Sequence, residues 1–165
     1  MNFSTFLSDV IATTLGGAVL TFIFFLLREK AFKPPSLNGS WIYEQHTFNS
    51  DYAPYKNLTL RYIALIGRDG NQIYGSAEKF FEITADGKEK EYTGKTRSLV
   101  EITGHIERRY FSKDLISIHI AETGELRKSS TFHVLEYIDS NNLQGRFSSS
   151  IANQDGTVSW TRKSS

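Results

Sequence analysis

The spacing of apolar and polar positions changes once along this chain, and the change divides it. From Val10 to Leu27 the residues VIATTLGGAVLTFIFFLL run uncharged for 18 positions. That is about the length an α-helix needs to cross a bilayer core of roughly 30 Å. From Ser40 onward apolar and polar residues alternate, the period of a strand with one buried face, and no amphipathic helical stretch competes. The alternation predicts strands over Trp41–Phe48, Leu58–Ile66 and Ile73–Thr84. A long fourth segment runs to about Arg108, bent near Gly94. Leu115–Ala121, Thr131–Ile138, Leu143–Ile151 and Thr157–Arg162 complete eight. Asp69-Gly70 and Asp86-Gly87, each between alternating runs, are hairpin signals. Eight short strands with hairpin-length connections predict an all-β, antiparallel up-and-down barrel behind a single N-terminal transmembrane helix. A two-sheet sandwich is the alternative. The predicted units are an anchor over 1–30, a juxtamembrane linker over 31–38 and a barrel over 39–165.

Parity assigns the faces. Leu58, Leu60, Tyr62, Ala64 and Ile66 share one side of their strand, as do Ile73, Gly75, Ala77, Lys79 and Phe81 on the next. Val100, Ile102, Gly104 and Ile106 follow, then Ile116, Ile118 and Ile120, then Phe132 and Val134, then Leu143, Gly145, Phe147 and Ser149. These are the expected inward positions. The inward glycines leave room inside or let strands bend at barrel corners. Lys79 is a cation among apolar neighbours, so it needs a partner, the barrel mouth or an anionic ligand. Glu136, inward by the same count, is the expected structural partner.

Charge orients the anchor. Asp9 precedes the apolar run, while Arg28, Lys30 and Lys33 follow it, and REKAFKPP offers no small-residue cleavage site. Basic residues on the C-terminal flank predict an uncleaved, single-pass anchor, N-out, with the barrel in the cytoplasm. An apolar helix buried in a soluble core is the competing reading. Thr13, Gly17 and Thr21 recur every four residues and stack on one helix face, where small side chains permit close approach of a second helix. That stripe predicts self-association of the anchor, unless it is only the ordinary composition of a membrane helix.

Composition narrows the partners. Outside the anchor and its flank, 16 basic and 16 acidic residues remain, after Arg28, Lys30 and Lys33 are taken from 19 and Asp9 and Glu29 from 18. A neutral domain without a basic stripe argues against DNA or RNA polymers. A small anionic ligand needs only a few cations. No G-x-S-x-G, P-loop or H-E-x-x-H occurs and there is no cysteine, so neither an enzyme nor a cofactor is expected. With turns centred near Ser112 and Leu126, His105, His119 and His133 fall side by side on the outside. The outer two would then lie about 10 Å apart, too far for one tetrahedral metal ion, so no metal is expected. Leu99, Leu115, Leu135 and Tyr137 share that predicted outer face and mark an interface for self-assembly.

Gly39-Ser40-Trp41 opens the first strand and Arg162 closes the last. This pairing resembles the lipocalin and fatty-acid-binding group, in which the Trp plugs one barrel end and the basic side chain packs across it. The whole architecture also looks like the β-barrel effectors of bacterial cyclic-oligonucleotide anti-phage signalling (CBASS). That resemblance implies a barrel that binds a cyclic di- or oligonucleotide, and membrane helices that assemble as homo-oligomers and disrupt the inner membrane. The chain departs in having one span where such effectors commonly have two. Inward residues towards the end opposite Trp41 are the expected ligand site: Gln45, Thr47, Tyr62, Lys79, Phe81, Phe132, Phe147 and Ser149. Their aromatic rings can stack on a base, and lysine and hydroxyls can hold phosphate. By parity Arg61, Arg97 and Arg146 point outward. A membrane-tethered carrier of an apolar molecule and a filled-barrel scaffold are the competing functions.

Overall fold

A computed structural model describes residues 3–31, 35–94, 98–109, 112–123 and 128–163. It forms two compact units, divided between Pro34 and Pro35. The first is helix α1, Phe3–Ala31. Within it Phe3–Leu27 is long and apolar enough to cross a membrane, and none of its apolar window is buried. Thr13 and Thr21 donate their hydroxyls to Asp9 O and Gly17 O within the helix, at 2.8 Å each. Both threonines thus satisfy their hydroxyls within the helix. Lys33 lies outside the described residues, as do the side chains of Arg28 and Lys30.

The second unit is all-antiparallel. β1 (Gly39–Asn49), β2 (Thr59–Asp69), β3 (Gln72–Ile83), β4 (Glu89–Glu91), β5 (Leu99–Glu107), β6 (Leu115–Thr123), β7 (Lys128–Asp139), β8 (Asn142–Ser149) and β9 (Gln154–Arg162) follow in chain order. The sheet runs β2-β1-β9-β8-β7-β6-β5-β3, and β2 pairs back onto β3, closing an eight-stranded barrel. The sandwich is excluded, because a barrel leaves no sheet edge unpaired. β4 is a short addition. It pairs with Phe81–Ile83 of β3 while β5 pairs with Gln72–Glu78, so the expected long fourth segment lies beside β3 in two pieces. Gly94, at the break, has φ +53°. The β2–β3 hairpin turns through Gly70 and Asn71, with Gly70 at φ +57°.

The inward glycines do not leave space. A Cβ on Gly145 would stand 1.9 Å from Val134 O, and one on Gly156 would stand 1.9 Å from His46 O. Gly75 and Gly104 meet neighbouring carbonyls in the same way. Backbone crosses backbone here at the barrel's bends, where only hydrogen fits. The interior is filled: Trp41, Trp160, Tyr43, Ile102, Ile116 and Leu135 are all fully buried. Trp160, Tyr43 and Tyr62 stack in sequence at 4.5 Å spacings.

The Trp41 end is sealed. Trp41 pairs with Arg162, whose guanidinium lies 4.4 Å from the indole centroid. Arg162 also donates to Ser36 O, Asn38 O and Ser140 O. Trp41 Nε1 donates to Leu37 O at 2.8 Å, and Arg68 donates to Pro35 O at 2.8 Å. Residues 35–38, within the expected juxtamembrane linker, pack against the barrel end, with Pro35 and Leu37 buried.

On β7 the expected faces are reversed. Ile118 pairs with His133 and His119 with Phe132, so the β6–β7 register differs by one residue from the symmetric turn assumed. In a strand of period two, a one-residue slip exchanges the faces. Phe132 and Val134 are half exposed and Glu136 is exposed, while His133 and Leu135 are buried and Tyr137 packs against the core. The histidine row is lost: His105 lies opposite Ser117 and His119 opposite Thr103. Among the described residues no His, Asp or Glu group could hold a metal ion. The outer apolar stripe also changes, keeping Leu99 and Leu115 and gaining Val134 and Ile138 in place of Leu135 and Tyr137.

Candidate functional site

The end opposite Trp41 is open, with a cavity of about 420 Å³, within the range of small-molecule sites. Leu58, just before β2, and Leu60 and Tyr62 of β2 form one wall. Lys79 and Glu82 of β3, Glu122 of β6 and Ser129 of β7 form the others, and Ile151 and Gln154 close the side near β9. A 3₁₀ turn, Ala53–Tyr55, carries Pro54 and Tyr55 over the rim. The buried tyrosine stack lies beneath.

Lys79 is inward as its parity requires, but Glu136 is not its partner. A bulge in β3 places Lys79 opposite Tyr62 and Phe81 opposite Arg61. An extra residue on one strand reverses alternation beyond it. Phe81 therefore turns outward, 5.4 Å beneath the Arg61 guanidinium, and Glu82 turns in. Lys79 Nζ lies 3.6 Å from Glu82 Oε2 and 4.3 Å from the Tyr92 ring centroid. Tyr92 donates its hydroxyl to Glu82 at 2.8 Å. Its pKa is raised by partial burial and then by that carboxylate.

Glu122 continues the inward series Ile116, Ile118 and Ile120, and among the described residues it has no hydrogen-bond or ion-pair partner. Among the described residues three charged side chains line the cavity, one positive and two negative. Burial raises the pKa of Tyr62, and Glu122 raises it further; burial, Tyr62 and then Glu122 do the same for Tyr43.

Of the other expected ligand residues, Gln45 and Thr47 are inward but buried. Thr47 donates to Gln154 Oε1 at 3.3 Å, so it braces the cavity from below. Phe147 is core, edge-on to His133. Ser149 is half-buried and accepts from Thr131 at 3.1 Å, without lining the cavity. Phe132 lies outside, stacked on His119 at 4.7 Å. Tyr62 and Lys79 alone reach the open space. Arg61 and Arg146 are outward, Arg61 paired with Glu44; Arg97 lies outside the described residues. Missed were Tyr55, Glu82 and Glu122. Parity alone would have found Glu122; Glu82 needed the bulge.

Below the cavity two buried polar atoms, Tyr43 Oη and His133 Nε2, lack hydrogen-bond partners among the described residues. Trp160 Nε1 donates to His133 Nδ1 at 3.2 Å, which places the imidazole proton on Nε2. Burial pushes the His133 pKa down to about 3.

Compared against protein-family models the chain matches none, and no curated protein matches it either.

Proposed function

We propose that this chain is a membrane-anchored sensor whose barrel takes a small nucleotide, a cyclic di- or oligonucleotide, in its open mouth. The observation that carries this reading is the cavity of about 420 Å³ over a filled interior. A site confined to the mouth suits a compact polar ligand and leaves no tunnel for an acyl chain. Tyr55 and Tyr62 offer stacking surfaces, worth about 1–3 kcal/mol per base in single-strand binders. Lys79 is held ready at the wall, where a phosphate can take it from Glu82. The anchor is a permanent inner-membrane span, N-out with the barrel in the cytoplasm. Bound ligand controls association of the helices through the Thr13, Gly17 and Thr21 face. The assembled helices disrupt the bilayer as an anti-phage response.

The filled interior also favours a second reading, a scaffold acting through its outer wall, where Val134, Ile138 and Leu115 flank a shallow groove. Titration of the full chain in detergent micelles with cyclic dinucleotides separates the two. Saturable binding lost in Lys79→Ala, with folding unchanged, supports the sensor; absence of binding across cyclic di- and trinucleotides leaves the scaffold.

A further inference from the structure

The two carboxylates of the mouth are not equivalent. Glu82 is matched by Lys79 and by the Tyr92 hydroxyl. Glu122 stands at the inward end of β6, between Val100 of β5 and Ser129 of β7, with no partner among the described residues. Among the described residues the lining is thus a matched pair plus one unmatched negative charge. An anionic group placed beside Glu122 would be repelled, and an apolar group would strip water from a carboxylate and return nothing. A carboxylate has two oxygens and accepts two parallel N–H bonds from a planar fork, the geometry that makes such pairs strong and specific. Tyr62 and Tyr55, on the same cavity, add ring surfaces that favour a flat, electron-poor partner.

We infer that Glu122 determines specificity at the mouth, and that the group it selects is planar and presents two adjacent N–H donors. The Watson–Crick edge of guanine has that form, and so does a guanidinium or amidinium group. This rests on the mouth being a ligand site, as proposed above, and adds which part of the ligand enters first. The donor edge goes to Glu122 and any phosphate stays towards Lys79.

The test is calorimetric titration of the full chain in detergent micelles with cyclic di-GMP, cyclic di-AMP and benzamidine, repeated on Glu122→Gln. The amide keeps shape but replaces one acceptor oxygen with a donor. Cyclic di-GMP binding at least about tenfold tighter than cyclic di-AMP, with the preference collapsing in Glu122→Gln, supports the inference with a nucleotide as source. Benzamidine alone binding, and losing at least about tenfold in Glu122→Gln, supports it with a cationic source. Equal affinity for the two dinucleotides, unchanged in Glu122→Gln, overturns the inference and leaves the sensor reading standing. No binding by any of the three overturns the inference, and the sensor reading falls with it if cyclic trinucleotides also fail to bind. Glu136→Gln, on the outer wall, controls for a general charge effect and should leave every affinity unchanged.

Discussion

Where the chain enters the barrel, the carbonyls of Pro35, Ser36, Leu37 and Asn38 are each taken by a side-chain donor, from Arg68, Arg162 and Trp41. At the opposite end one of two inward carboxylates, Glu82, is paired with Lys79, and the other, Glu122, has no ion-pair partner among the described residues. One barrel thus treats its polar groups in two ways. A buried donor or acceptor left unmatched costs about 1–3 kcal/mol, more when charged. The sealed end avoids that cost, and the open end leaves room for a ligand to supply the match. The closed end is accordingly where substitutions should cost stability, and the mouth is where they should change binding.

The largest effect expected is from Trp41→Ala. The indole is 1% exposed, edge-on to Trp160, and carries the Arg162 guanidinium. Its loss should cost about 3–5 kcal/mol, read as a lowered midpoint in chemical unfolding of the full chain followed by far-UV circular dichroism. A cost below about 1 kcal/mol would mean that the seal is not structural.

Between the two ends, His133 makes stability depend on pH. Its folded pKa lies near 3, below the usual value of 6.5, because burial disfavours the imidazolium. Its partners are Tyr43, Trp160 and Phe147, none of them anionic there. The unfolded chain therefore binds the extra proton between those values. This contribution is complete above pH 6.5 and is lost as pH falls towards 3. The slope should approach about 1.4 kcal/mol per pH unit in the middle of that window. His133→Leu should flatten it; an unchanged slope would locate the acid sensitivity in the carboxylates.

A smaller loss, about 1–2 kcal/mol, is expected from Arg162→Lys. Lysine keeps the charge but cannot reach Ser36, Asn38 and Ser140 with one planar fork. Thermal unfolding of the two proteins side by side measures it. Equal stability would show that the charge over Trp41, and not the fork, matters.

Smallest of all should be the effect of Glu122→Gln on the unliganded protein, within about 0.5 kcal/mol. A loss as large as that of Arg162→Lys would make Glu122 a structural residue and remove the contrast between the ends.

The sequence by itself determined the elements. A run of 18 uncharged residues can only be a long apolar helix in this context, and period-two alternation with Gly70 at a turn can only be paired strands. Counting strands up and down even placed Trp41 and Arg162 together, because an even number of antiparallel strands returns the chain to the end where it started. What alternation cannot carry is register across a connection. The β6–β7 pairing is shifted by one residue, burying His133 and exposing Phe132, and the bulge after Lys79 exchanged Phe81 for Glu82. The inward glycines were legible as positions but not as contacts, since which carbonyl they admit depends on how steeply neighbouring strands cross. Periodicity is a property of one strand and survives in the sequence. Which face meets the interior is settled only when the strands pair and close the barrel.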